Sequence, residues 1–145
     1  VISINVLILE EISKKADGYY EKSKNFGELA STIFGDKKKS QIRNLENIAY
    51  SSSMISHIYD YIKIQTGKSN TNEDWRKDKF GEKLLNQLIE LKDDAKVIKD
   101  NVKNHNREEA TEELTRQIHL KLIREFIKQL GAHYNYSLVP KEEGR

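Results

Sequence analysis

Apolar residues separated by steps of three and four recur through most of this chain, a spacing that fits a helix and is incompatible with the two-residue repeat of a strand. The clearest run is Phe80, Leu84, Leu88, Leu91, Ala95, Ile98 and Val102, with Lys and Asp between them. It predicts an amphipathic helix buried on one side. A second run sets Ala110, Leu114, Ile118, Leu122, Phe126 and Leu130 in one row with Ile123 and Ile127 beside it, reaching Gly131 or slightly beyond. Between Ser40 and Gln65, Ile42, Leu45, Ile48, Ala49, Ile55, Ile58, Tyr59 and Ile62 take the same steps, and Gly67 follows. With Ser52 and Ser56 among them, these positions cover roughly half a helical wheel at 100° per residue. The spacing predicts one long central helix over this stretch, stopped by Gly67.

The remaining segments are shorter. Phe26, Leu29, Ala30 and Ile33 place a helix over about Tyr19 to Phe34, with Gly35 as its stop. The opening reads two ways: Ile2, Ile4, Val6 and Ile8 alternate like a strand, while Leu7, Leu9 and Ile12 fill in a helical face. Helix is the expected form. A polar linker, Ser69-Asn70-Thr71-Asn72, precedes Asp74, and Thr71 with Asp74 has the spacing of a capping box, as does Asn106 with Glu109 after the break at Asn104-His105-Asn106. A single proline, Pro140, and glycines scattered singly at the expected helix ends agree with this pattern. The fold class is therefore all-α: a compact bundle of about five helices around a long central helix. With 145 residues, 37% of them hydrophobic, the chain has enough apolar material for one core and one domain spanning 1–145. Residues 1–18 are the least determined, and 137–145 are expected to form a flexible tail.

Composition narrows the chemistry. There is no cysteine, which removes disulfides, thiolate metal sites and thiol catalysis and is compatible with a cytoplasmic protein. The apolar start lacks a basic leader and a cleavage site, so it is not read as a signal peptide, and no stretch has the length of a spanning helix. No membrane partner is expected. The histidines, His57, His105, His119 and His133, lie 14 or more residues apart, which leaves no helical metal pair. Asp93 and Asp94 diverge by about 100° on a helix and read as a solvated acidic face. No glycine-rich phosphate loop is present, and Ser51-Ser52-Ser53 reads as small residues that let helices pack closely. Neither a metal nor a cofactor is expected, and no catalytic residue is assigned.

The positive signal is a local excess of cations. Twenty-five Lys and Arg against 23 Asp and Glu leave the chain at only +2. Between Lys37 and Lys68, however, Lys37, Lys38, Lys39, Arg43, Lys63 and Lys68 face only Glu46 and Asp60. Lys37 to Lys39 stand at a helix N-terminus, where free backbone N–H groups also attract anions, so the basic cluster is a candidate phosphate-binding surface. On the same expected helix Arg43, Asn47, Tyr50, Met54, His57 and Tyr61 form a stripe poor in charge. That stripe is either core beneath the N-terminal segment or a contact for a partner subunit or RNA.

The tetrapeptide Ser40-Gln41-Ile42-Arg43 resembles the Ser-Gln-Ile-Arg signature of the small subunit of type III-A CRISPR interference complexes, the Csm type. Tyr61-Ile62-Lys63-Ile64-Gln65-Thr66-Gly67-Lys68 is similar to a tyrosine-containing stretch of that family that ends in Gly-Arg. Ala132-His133-Tyr134-Asn135-Tyr136 resembles the aromatic end of its last helix. The likeness covers roughly residues 26 to 136. The family commonly has threonines where this chain has Lys37-Lys38-Lys39, and Gly-Gly where it has Ser137-Leu138; the related Cmr-type subunit of III-B complexes is the nearest alternative. The resemblance implies a non-catalytic helical subunit of an antiviral defence complex, present in several copies beside the backbone subunits. Its partners would be guide RNA, target RNA and other CRISPR subunits, with self-association through stacking. Arg43 lies inside the matching signature, and Lys68 stands where the second motif has Arg.

Two other classes remain open. One is a helical adaptor that binds protein through Tyr50, Met54 and Tyr61 without nucleic acid. The other is a helical ribonuclease of the HEPN type, which carries Arg four to six residues before a catalytic His. Arg116 precedes His119 by only three, while Arg43 to His57 and Arg124 to His133 are wider. His119 is accordingly read as the polar flank of an amphipathic helix.

Overall fold

The structure is a computed structural model that describes residues 4–68, 73–106 and 112–140. Its helices are α1 (Ile4–Asp17), α2 (Tyr20–Phe34), α3 (Lys39–Ser51), α4 (Ile55–Gly67), α5 (Phe80–Asn106) and α6 (Glu112–Ser137), with a kinked 3-10 segment at Asp74–Lys79 before α5. No strand occurs among the described residues, so the chain is an all-α bundle. The two readings of the opening resolve to helix. Thr71, Glu109 and Ala110, which carry the two expected capping boxes and the first turn of the last run, lie outside the described residues.

The four-three repeat of α5 holds throughout. Phe80, Leu84, Leu88, Leu91, Ala95, Ile98 and Val102 are each no more than 1% exposed. Each large side chain in such a row contributes about 1.5–3 kcal/mol by leaving water. α5 is thus the long central helix, and it runs through Asn104-His105-Asn106, where the sequence suggests a break. α6 lies beside it and also packs on α1, α2 and α3. Gly131 does not end α6, which continues to Ser137. Instead it and Gly27 let helices approach: a Cβ on Gly27 would stand 2.5 Å from Cβ of His133 and 2.7 Å from the Leu130 carbonyl, and one on Gly131 would stand 2.6 Å from the Glu46 carboxylate. These two glycines are not helix ends, and their missing Cβ atoms are what bring α2 and α3 against α6. Beyond α6, Leu138 packs against the core, so the tail is anchored at least that far.

The expected helix over 40–65 is two helices. α3 ends at Ser51, Ser52 is extended at ψ 135°, and α4 begins at Ile55. Ser52 is buried, and its Oγ accepts from the Met54 N–H at 3.1 Å, an alternative to continued helix that serine offers readily. The carbonyls freed at the end of α3 are taken by α6: Arg124 donates from Nε to Ala49 O and from Nη2 to Ser52 O, each at 2.8 Å. Arg116 adds a bond to Ser53 O at 3.1 Å. The serine run therefore breaks the helix, contrary to its reading as close-packing residues.

Candidate nucleic-acid interface

The head of α3 is built on a buried aromatic anchor. Trp75, fully buried in the 3-10 segment, packs against Phe34, Tyr61 and Phe80. Its Nε1 donates to Gln41 Oε1 at 2.8 Å, and Tyr61 donates to the Gln41 carbonyl at 3.5 Å. The signature tetrapeptide is thereby divided by role: Gln41 is tied to Trp75, Ile42 is 1% exposed in the core, and Arg43 points out to solvent. Burial in an aromatic cluster raises the Tyr61 phenol above its ordinary value, which keeps it a neutral donor.

The three lysines before the signature differ in availability. All are exposed. Lys38, the N-cap of α3, bonds through Nζ to Oδ2 of Asp74, which also receives Lys77 at 3.0 Å on Oδ1. Burial alone would raise the Asp74 carboxyl, but the bonds from Lys38 and Lys77 bring it below the usual carboxylate range. Lys39 pairs with Asp36 at 2.9 Å, a surface contact that an RNA phosphate could displace at little cost. Lys37 has no ion-pair partner among the described residues. Arg43 stands one turn along α3 from Lys39.

Lys63 is exposed on α4 and Lys68 is exposed at its end. Arg76 donates to the Lys68 carbonyl at 3.0 Å, which joins the end of α4 to the 3-10 segment and, through Asp74, to the head of α3. Lys37, Lys38, Lys39 and Lys68 thus share one end of the bundle with Arg76 and Lys77. The last two are not among the sequence candidates, because the segment Glu73–Lys79 is neutral overall. The one signal that could have found them is a tryptophan at the edge of a polar linker, since a side chain so large seldom stays outside a core.

The stripe expected to meet a partner is at the surface for five of its six members, Arg43 among them. Asn47, Tyr50, Met54 and His57 are exposed, with Tyr50 at 52% and Met54 at 49%, whereas Tyr61 turns inward onto Trp75. It is not core beneath the N-terminal segment, since α1 packs on α5 and α6. The helix break at Ser52 also places Met54 and His57 off the line through Arg43 and Tyr50.

His119 departs from its expected place. Only 5% exposed, it is no polar flank: Nε2 donates to the Leu88 carbonyl at 2.8 Å, and the Tyr59 hydroxyl lies 3.4 Å from the same nitrogen. Burial lowers the imidazole pKa and the charge of Lys92 adds to that, against the opposing bond to Leu88. Arg116, three residues before it, is held in a fork by Glu113 and by the Ser53 carbonyl. Asp94 is not simply solvated either, since it accepts the Tyr19 hydroxyl at 2.8 Å and ties α5 to the junction between α1 and α2. Among the described residues no three His, Asp or Glu side chains gather to hold a metal ion, and no helix is long and apolar enough to cross a membrane.

No family model, curated protein or solved structure matches this chain.

Proposed function

We propose that this protein is a non-catalytic small subunit of a type III CRISPR interference complex, of the III-A type, and that it holds guide and target RNA by their phosphates. The observation that carries the reading is the division of roles within Ser40-Gln41-Ile42-Arg43. Gln41 and Ile42 are consumed by the fold, and Arg43 is left exposed beside Lys37 and Lys39 at the head of α3. Phosphate contacts of this kind position a strand without reading bases, so binding is sequence-tolerant and weakens steeply with salt. A single copy contributes little. Several copies along one RNA turn later contacts into intramolecular events and raise the overall affinity without new chemistry. Tyr50 and Met54, half exposed on the adjoining surface, are the contact for a neighbouring subunit in this reading.

The test is to tag the protein in its native host, purify it gently and determine the length and sequence of any RNA that accompanies it. Discrete short RNAs with repeat-derived ends and large protein partners are the expected result. In the assembled complex, Arg43→Ala weakens target-RNA binding about three- to tenfold and reduces the salt slope by about one ion, with the subunit still folded. RNA binding indifferent to both the substitution and the salt concentration refutes the assignment. The exposure of Tyr50 and Met54 also suits a second reading, an adaptor that binds protein alone. That adaptor would co-purify with one protein partner, show no RNA, and associate equally well at low and high salt.

A further inference from the structure

A cleft of about 720 Å³ opens between α4, α5 and α6, on residues other than those assigned to RNA. Its volume falls within the range of small-molecule sites, roughly 300–1,000 Å³. Part of its wall is apolar, formed by Ile55, Tyr59 and Ile89, and Ile89 is left 45% exposed. Along α5 the wall is cationic. Lys92, Lys96 and Lys99 are spaced i, i+4, i+7, so they share a face and span about 10 Å at the helical rise. None of the three forms an ion pair among the described residues. The α6 side carries Glu112 and Glu113 as well as Arg116, whose guanidinium Glu113 and the Ser53 carbonyl already occupy, so an anion is drawn to the lysine row of α5 and kept away from Glu112.

The second, independent feature is Thr115, which lines the cleft and is 6% exposed. Its Oγ1 is the one buried side-chain polar atom without a hydrogen-bond partner among the described residues. A helical threonine commonly bonds back to the carbonyl one turn earlier, and an orphaned buried hydroxyl costs about 1–3 kcal/mol. Retaining it in a cleft whose three lysines form no ion pair among the described residues is chemically coherent if a ligand completes the set. The polar groups deeper in the wall are already satisfied by one another: His119 is bonded to the Leu88 carbonyl and Tyr59 lies against His119. A ligand there meets a fixed surface of ring and aliphatic carbon.

We propose that this cleft binds a nucleoside diphosphate, with the phosphates along Lys92, Lys96 and Lys99, the base against Ile55, Tyr59 and Ile89, and the Thr115 hydroxyl bonded to the ligand. Two phosphates suit a cationic row longer than one phosphate group, and a flat, weakly polar ring suits the wall beside it. No bond is made or broken.

The experiment titrates ADP into the full chain by calorimetry, with adenosine and pyrophosphate as separate probes. Saturable ADP binding is expected, with each fragment weaker by about tenfold or more, a difference of about 1.4 kcal/mol. Lys96→Gln, on an exposed side chain, is expected to weaken ADP by about tenfold. Thr115→Val supplies a readout that a purely structural hydroxyl would not give: ADP affinity falls severalfold while the ligand-free protein melts at a higher temperature, because the orphaned hydroxyl is gone. No binding of ADP up to about 5 mM, a concentration near the weak limit of specific sites, overturns the proposal. So does ADP binding that is unchanged in both variants.

Discussion

The α3–α4 stretch and α5 carry much the same hydrophobic repeat, yet one is broken in its middle and the other runs unbroken for 27 residues. α5 is defined by its own pattern. Its seven core positions are all closed to solvent, and no polar side chain interrupts them. α3 is defined from outside. Lys38 is tied to Asp74 at its head, Glu46 lies against Gly131 in its middle, and Arg124 takes two carbonyls at its end. Backbone groups at a helix end need partners, and where a distant side chain supplies them, an early end becomes as favourable as another turn. Periodicity in the sequence reports which face is buried, and it is silent about a donor more than seventy residues away.

If the break depends on Arg124, removing that side chain should damage this region far more than the loss of a surface charge would. Arg124→Ala leaves Ala49 O and Ser52 O without their charged donors, and a loss of about 3 kcal/mol is expected, since bonds to charged groups contribute about 1.5–3 kcal/mol each. Urea unfolding measures it. Hydrogen exchange sharpens the comparison: amides of Ser52 to His57 should lose protection while those of α5 between Leu84 and Ile98 keep theirs until global unfolding. A uniform loss in both regions would show that the break is set by packing alone.

Asp74 comes next. Asp74→Asn keeps the shape but removes the charge that Lys38 and Lys77 share, and a loss of about 1–2 kcal/mol at neutral pH is expected for a buried acceptor of charged donors. Because the folded carboxyl lies below its unfolded value, the wild-type advantage is present above the unfolded value and lost as pH falls through the folded one. Denaturation curves of the two proteins should therefore converge in acid. A gap that persists there would mean that the substituted amide disturbs packing around Trp75 instead of an ion pair.

What was legible follows the same division. The helices whose boundaries rest on their own residues were readable: α2 stops before Gly35, α4 stops at Gly67, and the spacing picks out the core positions of α5 and, on α6, Ile118, Leu122, Ile123, Phe126, Ile127 and Leu130. Illegible were the features that depend on a second segment. In sequence Ser52 is one more small residue on a buried face, and the Arg124 donors that help make it a helix end come from α6. Gly131 has the character of a stop signal, but Glu46 makes it a contact. His119 reads as the polar edge of α6 because the Leu88 carbonyl that satisfies it belongs to α5. The candidate interface divides likewise: exposure of Lys39 and Arg43 follows from their place on the wheel, whereas the commitment of Lys38 to Asp74 requires the 3-10 segment to fold back.

Ser52→Ala tests the local half of the break. It removes the Oγ that accepts from Met54, and a loss of about 1 kcal/mol is expected, as for other cap residues. Ser53→Ala, on an exposed neighbour, should change stability by less than about 0.5 kcal/mol. If the two are equal, the turn owes nothing to the serine hydroxyl and everything to Arg124.

The smallest effect is expected where α3 touches α6 in its middle. Burial against Gly131 raises the Glu46 carboxyl above its ordinary value, and Arg43 only partly opposes the shift. The folded state therefore holds that proton more tightly than the unfolded chain, so wild-type stability falls as pH rises from the unfolded value through the folded one. Glu46→Gln keeps the shape and has no charge to bury. Above that window it should be more stable than wild type, by less than about 1 kcal/mol, and in acid the two should coincide. Thermal melts across pH 3 to 8, in roughly the range where carboxylates titrate, give the difference directly. A variant less stable than wild type at neutral pH would mean that the Arg43 attraction outweighs burial, which would make Arg43 part of the fold and not free for RNA.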